Sequence, residues 1–108
     1  MGRVSTQVDT YAVITTTGPD KPGVSAAFFR VLASYSAALV DVEQAIFSGR
    51  ITLAAHTRIP SARAEQIAQG LRNTLSIYGQ QVSVDVREEE SSARARSTHA
   101  VVLMGTEV

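Results

Sequence analysis

The chain has 108 residues and contains neither cysteine nor tryptophan. The lack of cysteine rules out disulfides, thiolate zinc sites and thiol catalysis. Two histidines, His56 and His99, are too few for a histidine-rich metal cage. An excess of one charge is also missing: ten basic and ten acidic groups cancel to a formal net charge of zero. With three tyrosines and three phenylalanines as its only aromatics, the chain lacks the positively charged footing of a nucleic-acid surface. No apolar run approaches the roughly 20 residues that span a bilayer. The polar stretch Met1–Thr10 is not a secretory signal. What remains is a small globular domain, expected in the cytoplasm. A chain of this length buries roughly two thirds of the surface its unfolded form exposes, enough for a core without covalent staples.

The patterning divides the chain into a leader, 1–9, a domain, 10–87, a linker, 88–97, and a final strand, 98–108. Tyr11 to Thr17 is almost continuously β-branched or aromatic and reads as a strand. Gly18-Pro19-Asp20-Lys21-Pro22-Gly23 is turn chemistry throughout. Val24, Ala27, Phe28, Val31, Leu32 and Tyr35 then form one apolar stripe at helical period. Leu39–Phe47 and Arg50–Ile59 are strand-like runs around Ser48-Gly49, a two-residue hairpin loop. A tight closure sets Val40 opposite Thr57, Asp41 opposite His56, Glu43 opposite Ala54 and Leu39 opposite Arg58. One face of that hairpin is then mostly apolar and the other mixed, as a one-sided sheet requires. Ser61 offers an N-cap. Ala64, Ile67, Ala68, Leu71, Leu75 and Tyr78 form a second helical stripe, with Gly79 as its C-cap. Val82, Val84 and Val86 alternate with polar residues as a fourth strand. The order β-α-β-β-α-β predicts an α+β, ferredoxin-like fold, a four-stranded antiparallel sheet with both helices on one face. His99–Met104, after the charged linker, adds an extra C-terminal strand, either the start of a second copy of the domain or a fifth strand at a sheet edge of this molecule or a partner.

Chemistry concentrates at the Gly18–Val24 corner. Pro22 presets the backbone before the helix, and Gly23 leaves room for another group. The first-turn N–H groups and the helix dipole favour an anion. Asp20 can hold an ammonium group and Lys21 can add a second contact to a carboxylate, a polarity suited to an amino acid. A strand-to-helix corner also needs glycine and proline when nothing binds there. The Asp41–His56 pair reads as opposite charges across two strands more than as an acid–base couple. Asp41, Glu43 and Arg58 read as a solvated or dimer-facing surface, not a metal site.

Gly18-Pro19-Asp20-Lys21-Pro22-Gly23-Val24, followed by a helix and Leu39-Val40-Asp41-Val42-Glu43-Gln44, resembles the ACT domain, a small-molecule-sensing regulatory module. The likeness is greatest to the N-terminal ACT region of actinobacterial-type phosphoserine phosphatases. The resemblance covers Thr10 to Arg87, with Ser97–Gly105 like the opening strand of a second unit. It implies a homodimer that binds a small amino acid, L-serine in these enzymes, and passes its occupancy to a catalytic phosphatase domain. The ligand contacts it implies are Gly18, Asp20, Lys21, Pro22, Gly23 and Val24, with Leu39, Val40 and Asp41 supplied across the interface. No cofactor and no metal are expected. Ala38 stands where many amino-acid-binding members carry an asparagine.

An acylphosphatase-like enzyme of the same fold needs an arginine in its phosphate loop and an asparagine near it. Arg30 lies about two turns into the helix, and the only asparagine, Asn73, falls on the second helix. Neither Asp9-Thr10-Tyr11 nor Asp41-Val42-Glu43 is the aspartate-nucleophile motif of haloacid-dehalogenase-type phosphatases. The chain reads as a non-catalytic regulatory module of a phosphoserine phosphatase, the alternative being a free-standing sensor or dimerisation scaffold for another amino acid.

Overall fold

The computed structural model describes residues 8–87. The expected linker and final strand lie outside the described residues. In order come β1 (Asp9–Pro19), α1 (Val24–Ser34), β2 (Ala38–Phe47), β3 (Arg50–Pro60), α2 (Ala64–Leu75) and β4 (Gln81–Arg87). The strands pair antiparallel in the order β2-β3-β1-β4. This is the ferredoxin-like arrangement the sequence predicts, with β1 and β3 as the central strands.

Alternation along the central strands builds the core. Ala12, Ile14 and Thr16 of β1 are buried, as are Ile51, Leu53, Ala55, Thr57 and Ile59 of β3. They meet Val24, Ala27, Phe28, Val31 and Leu32 of α1 and Ile67, Leu71 and Leu75 of α2. These are the stripes read from the sequence. Each large side chain in this set contributes about 1.5–3 kcal/mol by leaving water. Thr57 stays in the core because its hydroxyl donates to the Ala12 carbonyl at 3.0 Å. Phe28 and Phe29 meet edge to face with ring centroids 5.1 Å apart.

The Ser48-Gly49 turn closes as expected, both residues at positive φ, 56° and 78°, which suits the twist of a two-residue hairpin. From Phe47–Arg50 to Asp41–His56 the pairing follows the expected register. Beyond Asp41 it shifts: Leu39 lies opposite Thr57, not Arg58, and Ala38 takes the place opposite Arg58. Val40 is the surplus residue of a β-bulge, so it has no partner of its own and does not face Thr57. Leu39 therefore shares the helix-side face with Thr57. The apolar residues of β2 are also less covered than their pattern suggests. Leu39, Val42, Ile46 and Phe47 are exposed, because β2 is an edge strand.

Ser61 does not cap α2. Ser61–Arg63 form a 3₁₀ turn, α2 starts after Arg63 without a side-chain cap, and the Ser61 hydroxyl donates to the Val8 carbonyl at 2.8 Å. Gly79 ends the 3₁₀ turn Ser76–Tyr78 that extends α2, in the left-handed conformation at φ 74°. Among the described residues no helix is long and apolar enough to cross a membrane.

Candidate functional site

The corner between β1 and α1 is built from three close approaches. Gly18 is pressed by the α2–β4 connector: a Cβ there would stand 2.7 Å from the Gly79 carbonyl oxygen and 2.8 Å from Gln80 Nε2. The Asp20 N–H donates to the Gly49 carbonyl at 2.9 Å, tying the corner to the β2–β3 turn. Gly23 adopts φ 94° as the residue before α1, a conformation that side-chain-bearing residues enter at a cost. Its open side is bordered by Tyr78, whose hydroxyl lies 3.1 Å from where a Cβ would be. The group that approaches Gly23 thus includes a side chain of this same chain.

No side chain caps α1. The Val24 N–H bends back to the Lys21 carbonyl at 3.3 Å, and the first helical bond runs from the Ala27 N–H to the Gly23 carbonyl at 2.9 Å. The N–H groups of Ser25 and Ala26 have no acceptor within the helix, as at any α-helix start. Asp20, Lys21, Pro22 and Gly23 are exposed around them, while Gly18 and Val24 are buried beneath. The arrangement offers hydrogen-bond donors and a positive helix end beside one carboxylate and one ammonium.

Leu39, Val40 and Asp41 are not brought to this corner within one chain. Gly18 lies opposite Ile51 and Leu39 opposite Thr57. The path from Ile51 to Thr57 along β3 is about 20 Å at roughly 3.3 Å per residue. The corner and the start of β2 sit at opposite ends of the sheet. Asp41 accepts the Val42 N–H on its own Oδ1 at 2.9 Å.

The face of the sheet away from the helices carries the expected Asp41–His56 pair, and it is less solvated than the sequence implies. His56 is only 6% exposed. Its Nδ1, like Glu43 Oε2 on the neighbouring strand, is buried without a hydrogen-bond partner among the described residues. Along the same face Arg58 pairs with Asp9 at 3.5 Å and Arg87 with Asp85 at 2.8 Å. No group of metal-ligating side chains is arranged to hold an ion among the described residues.

Two residues at the corner escaped the sequence reading. Tyr78 was legible only as the last member of a helical stripe. Gln80 is buried, its Oε1 accepting from Thr16 Oγ1 at 2.9 Å and its Nε2 donating to the Pro19 carbonyl at 2.8 Å. Nothing in a lone glutamine before a strand marks it as interior, because its burial comes from the chain passing close to side-chain-free Gly18.

Fold and corner together define a small α+β module of ferredoxin-like topology with an uncapped helix start. The chain belongs to the ACT domain family, whose model matches residues 10–85. It is 37% identical over 97 residues to phosphoserine phosphatase SerB2 of Mycobacterium tuberculosis, a match covering 86% of this chain and 23% of that protein. The chain therefore spans less than a quarter of that relative's length. Among solved structures it resembles a putative glycine cleavage system transcriptional repressor, with a TM-score of 0.70 and 17% identity over 77% of this chain and 48% of that one. It also resembles the regulatory subunit of aspartate kinase from Thermus flavus, with a TM-score of 0.55 and 24% identity over 70% and 51% of the two chains. The module is thus a regulatory ACT domain related to phosphoserine phosphatase.

Proposed function

We propose that this chain is the amino-acid-binding and dimerisation module of a cytoplasmic phosphoserine phosphatase, with L-serine as its ligand. A catalytic domain elsewhere in the parent protein would read its occupancy. The observation that carries this reading is the uncapped start of α1 at Gly23, directly after exposed Asp20, Lys21 and Pro22. The ligand carboxylate takes the N–H groups of Ser25 and Ala26, with Lys21 beside it, and the ammonium group faces Asp20. Gly18, Pro22 and Val24 shape the floor and wall. Tyr78 closes the side of the corner next to Gly23, which favours a ligand with a small side chain.

Pairing two β2 edges antiparallel about a two-fold axis supports the second half of the reading. It lays the start of one β2, Leu39–Asp41, against the end of the other. That end is joined to the partner's corner through the Gly49–Asp20 hydrogen bond. The residues that lie about 20 Å apart in one chain then converge across the interface. The exposed apolar side chains of β2 become its contact surface. The match to a quarter of a phosphatase supports a module within a longer enzyme over a free-standing sensor.

Calorimetry with L-serine, glycine, alanine and aspartate, beside light scattering at high micromolar protein, tests both halves. The expected result is heat with serine, weaker heat with glycine and alanine, and dimer mass. No heat with any amino acid up to millimolar levels leaves only an architectural role, and a monomer at all concentrations removes the shared site.

A further inference from the structure

The connector from α2 to β4 meets the β1–α1 corner at three consecutive residues. Tyr78 borders Gly23, the Gly79 carbonyl fills the space beside Gly18, and Gln80 grips β1 with both ends of its amide. The Pro19 carbonyl can only accept, so Nε2 must face it and Oε1 must face the Thr16 hydroxyl. Gln80 is 8% exposed, so a bond lost here is not replaced by water without cost. It is followed at once by β4, Gln81–Arg87. β4 is an edge strand whose one strand neighbour among the described residues is β1, and its Val82 and Val84 pack against the core.

We propose that Gln80 is the positioning residue that couples the corner to β4. The inference rests on the reading of the corner as an amino-acid site and adds how occupancy leaves it. A ligand seated on the first turn of α1 pulls on Lys21–Val24 and so on Pro19. The Pro19 carbonyl is bonded to Gln80 Nε2 at 2.8 Å. The Gly79 carbonyl occupies the place a Cβ on Gly18 would take, so the connector packs directly on the strand. Gln80 follows Pro19, and the start of β4 follows Gln80. An edge strand of the sheet is thus the one wired to the corner. Occupancy changes that output only as far as the ligand prefers one of the two arrangements.

Hydrogen-exchange mass spectrometry on the 108-residue chain, with and without saturating L-serine, tests this beside calorimetry on the same samples. Wild type is expected to bind serine and to slow exchange in β4 several-fold more than in β3, which separates coupling from general stabilisation. Gln80→Met should still bind serine while the extra protection of β4 disappears. Gln80→Glu should resemble Gln80→Met at pH 8 and regain the response toward pH 5, where a carboxylic acid can donate to the Pro19 carbonyl. Should Gln80→Met fail to fold, Thr16→Val removes only the other bond and is expected to keep the response. Serine binding to wild type with β4 unmoved, full transmission in Gln80→Met, or loss of the response in folded Thr16→Val overturns the assignment. Absence of serine binding to wild type shows itself in the calorimetry alone, and defeats the reading of the corner and this inference together.

Discussion

The carbonyl oxygen of Gly79 stands 2.7 Å from the point where a Cβ on Gly18 would lie. Backbone faces backbone there, so neither side can yield by turning a side chain. Gly18→Ala is expected to destabilise the domain by about 2 kcal/mol, the usual range for overpacking. Gly70→Ala makes the comparison. A Cβ at Gly70 meets the Tyr35 hydroxyl at 2.8 Å, the far tip of a side chain, and gains about 1 kcal/mol of helix propensity. Its stability should stay within about 1 kcal/mol of wild type. Urea denaturation of the two variants measures the contrast.

Gly23 tests strain and binding together. At φ 94°, alanine there costs about 1–2 kcal/mol and sets a methyl group 3.1 Å from the Tyr78 hydroxyl. Gly23→Ala should lower the melting temperature and weaken serine binding. Gly23→Asn, which tolerates this conformation better, should recover part of the stability and none of the affinity.

Ile46 lies exposed on the β2 edge opposite Ile51. A charge on an edge strand blocks strand addition. Ile46→Lys is expected to shift the chain toward monomer by at least about tenfold in dissociation constant, with a change in monomer stability under about 1 kcal/mol. Sedimentation equilibrium and thermal melts of the same sample give both numbers.

Ala38 occupies the start of β2, exposed and opposite Arg58. In the proposed dimer, asparagine there would add one amide to the shared site. Ala38→Asn is expected to tighten serine binding by about threefold to tenfold, the worth of one hydrogen bond. Calorimetry in which affinity stays flat assigns that position no part in the site.

His56 brings a buried Nδ1 with no hydrogen-bond partner among the described residues. Replacing such a group by an apolar one of similar size is neutral or stabilising. His56→Leu should leave the urea midpoint unchanged or raise it, by up to about 1 kcal/mol in stability. A clear loss gives the imidazole a structural role.

The architecture was legible because the two helical stripes and the alternation of β1 and β3 are strong, local and mutually consistent. The hairpin register was legible too, since Ser48-Gly49 fixes it from the turn outward. It went astray only past Asp41, where a bulge adds one residue without a composition signal. The exposure of Val42 and Ile46 was hidden for another reason. Pattern tells which way a side chain points, while cover depends on how far two helices reach across four strands. At the corner, the glycines and prolines announced a tight turn, but not that Tyr78 and Gln80, more than fifty residues later in the chain, would complete it. Long-range packing against glycine leaves no trace in local sequence.

The surplus residue at Val40 also sets the phase of everything before it. Upstream of the bulge, inward and outward positions trade places relative to an uninterrupted ladder. Leu39 owes its place on the helix side to that single insertion, and Ala38 its place on the opposite one. Removing Val40 would leave a regular ladder with Leu39 still opposite Thr57 and Ala38 still opposite Arg58, whereas drawing Val40 into the ladder would turn the strand's entry inside out. The bulge, and not only the composition of β2, therefore decides which face of the sheet Ala38 and Leu39 take.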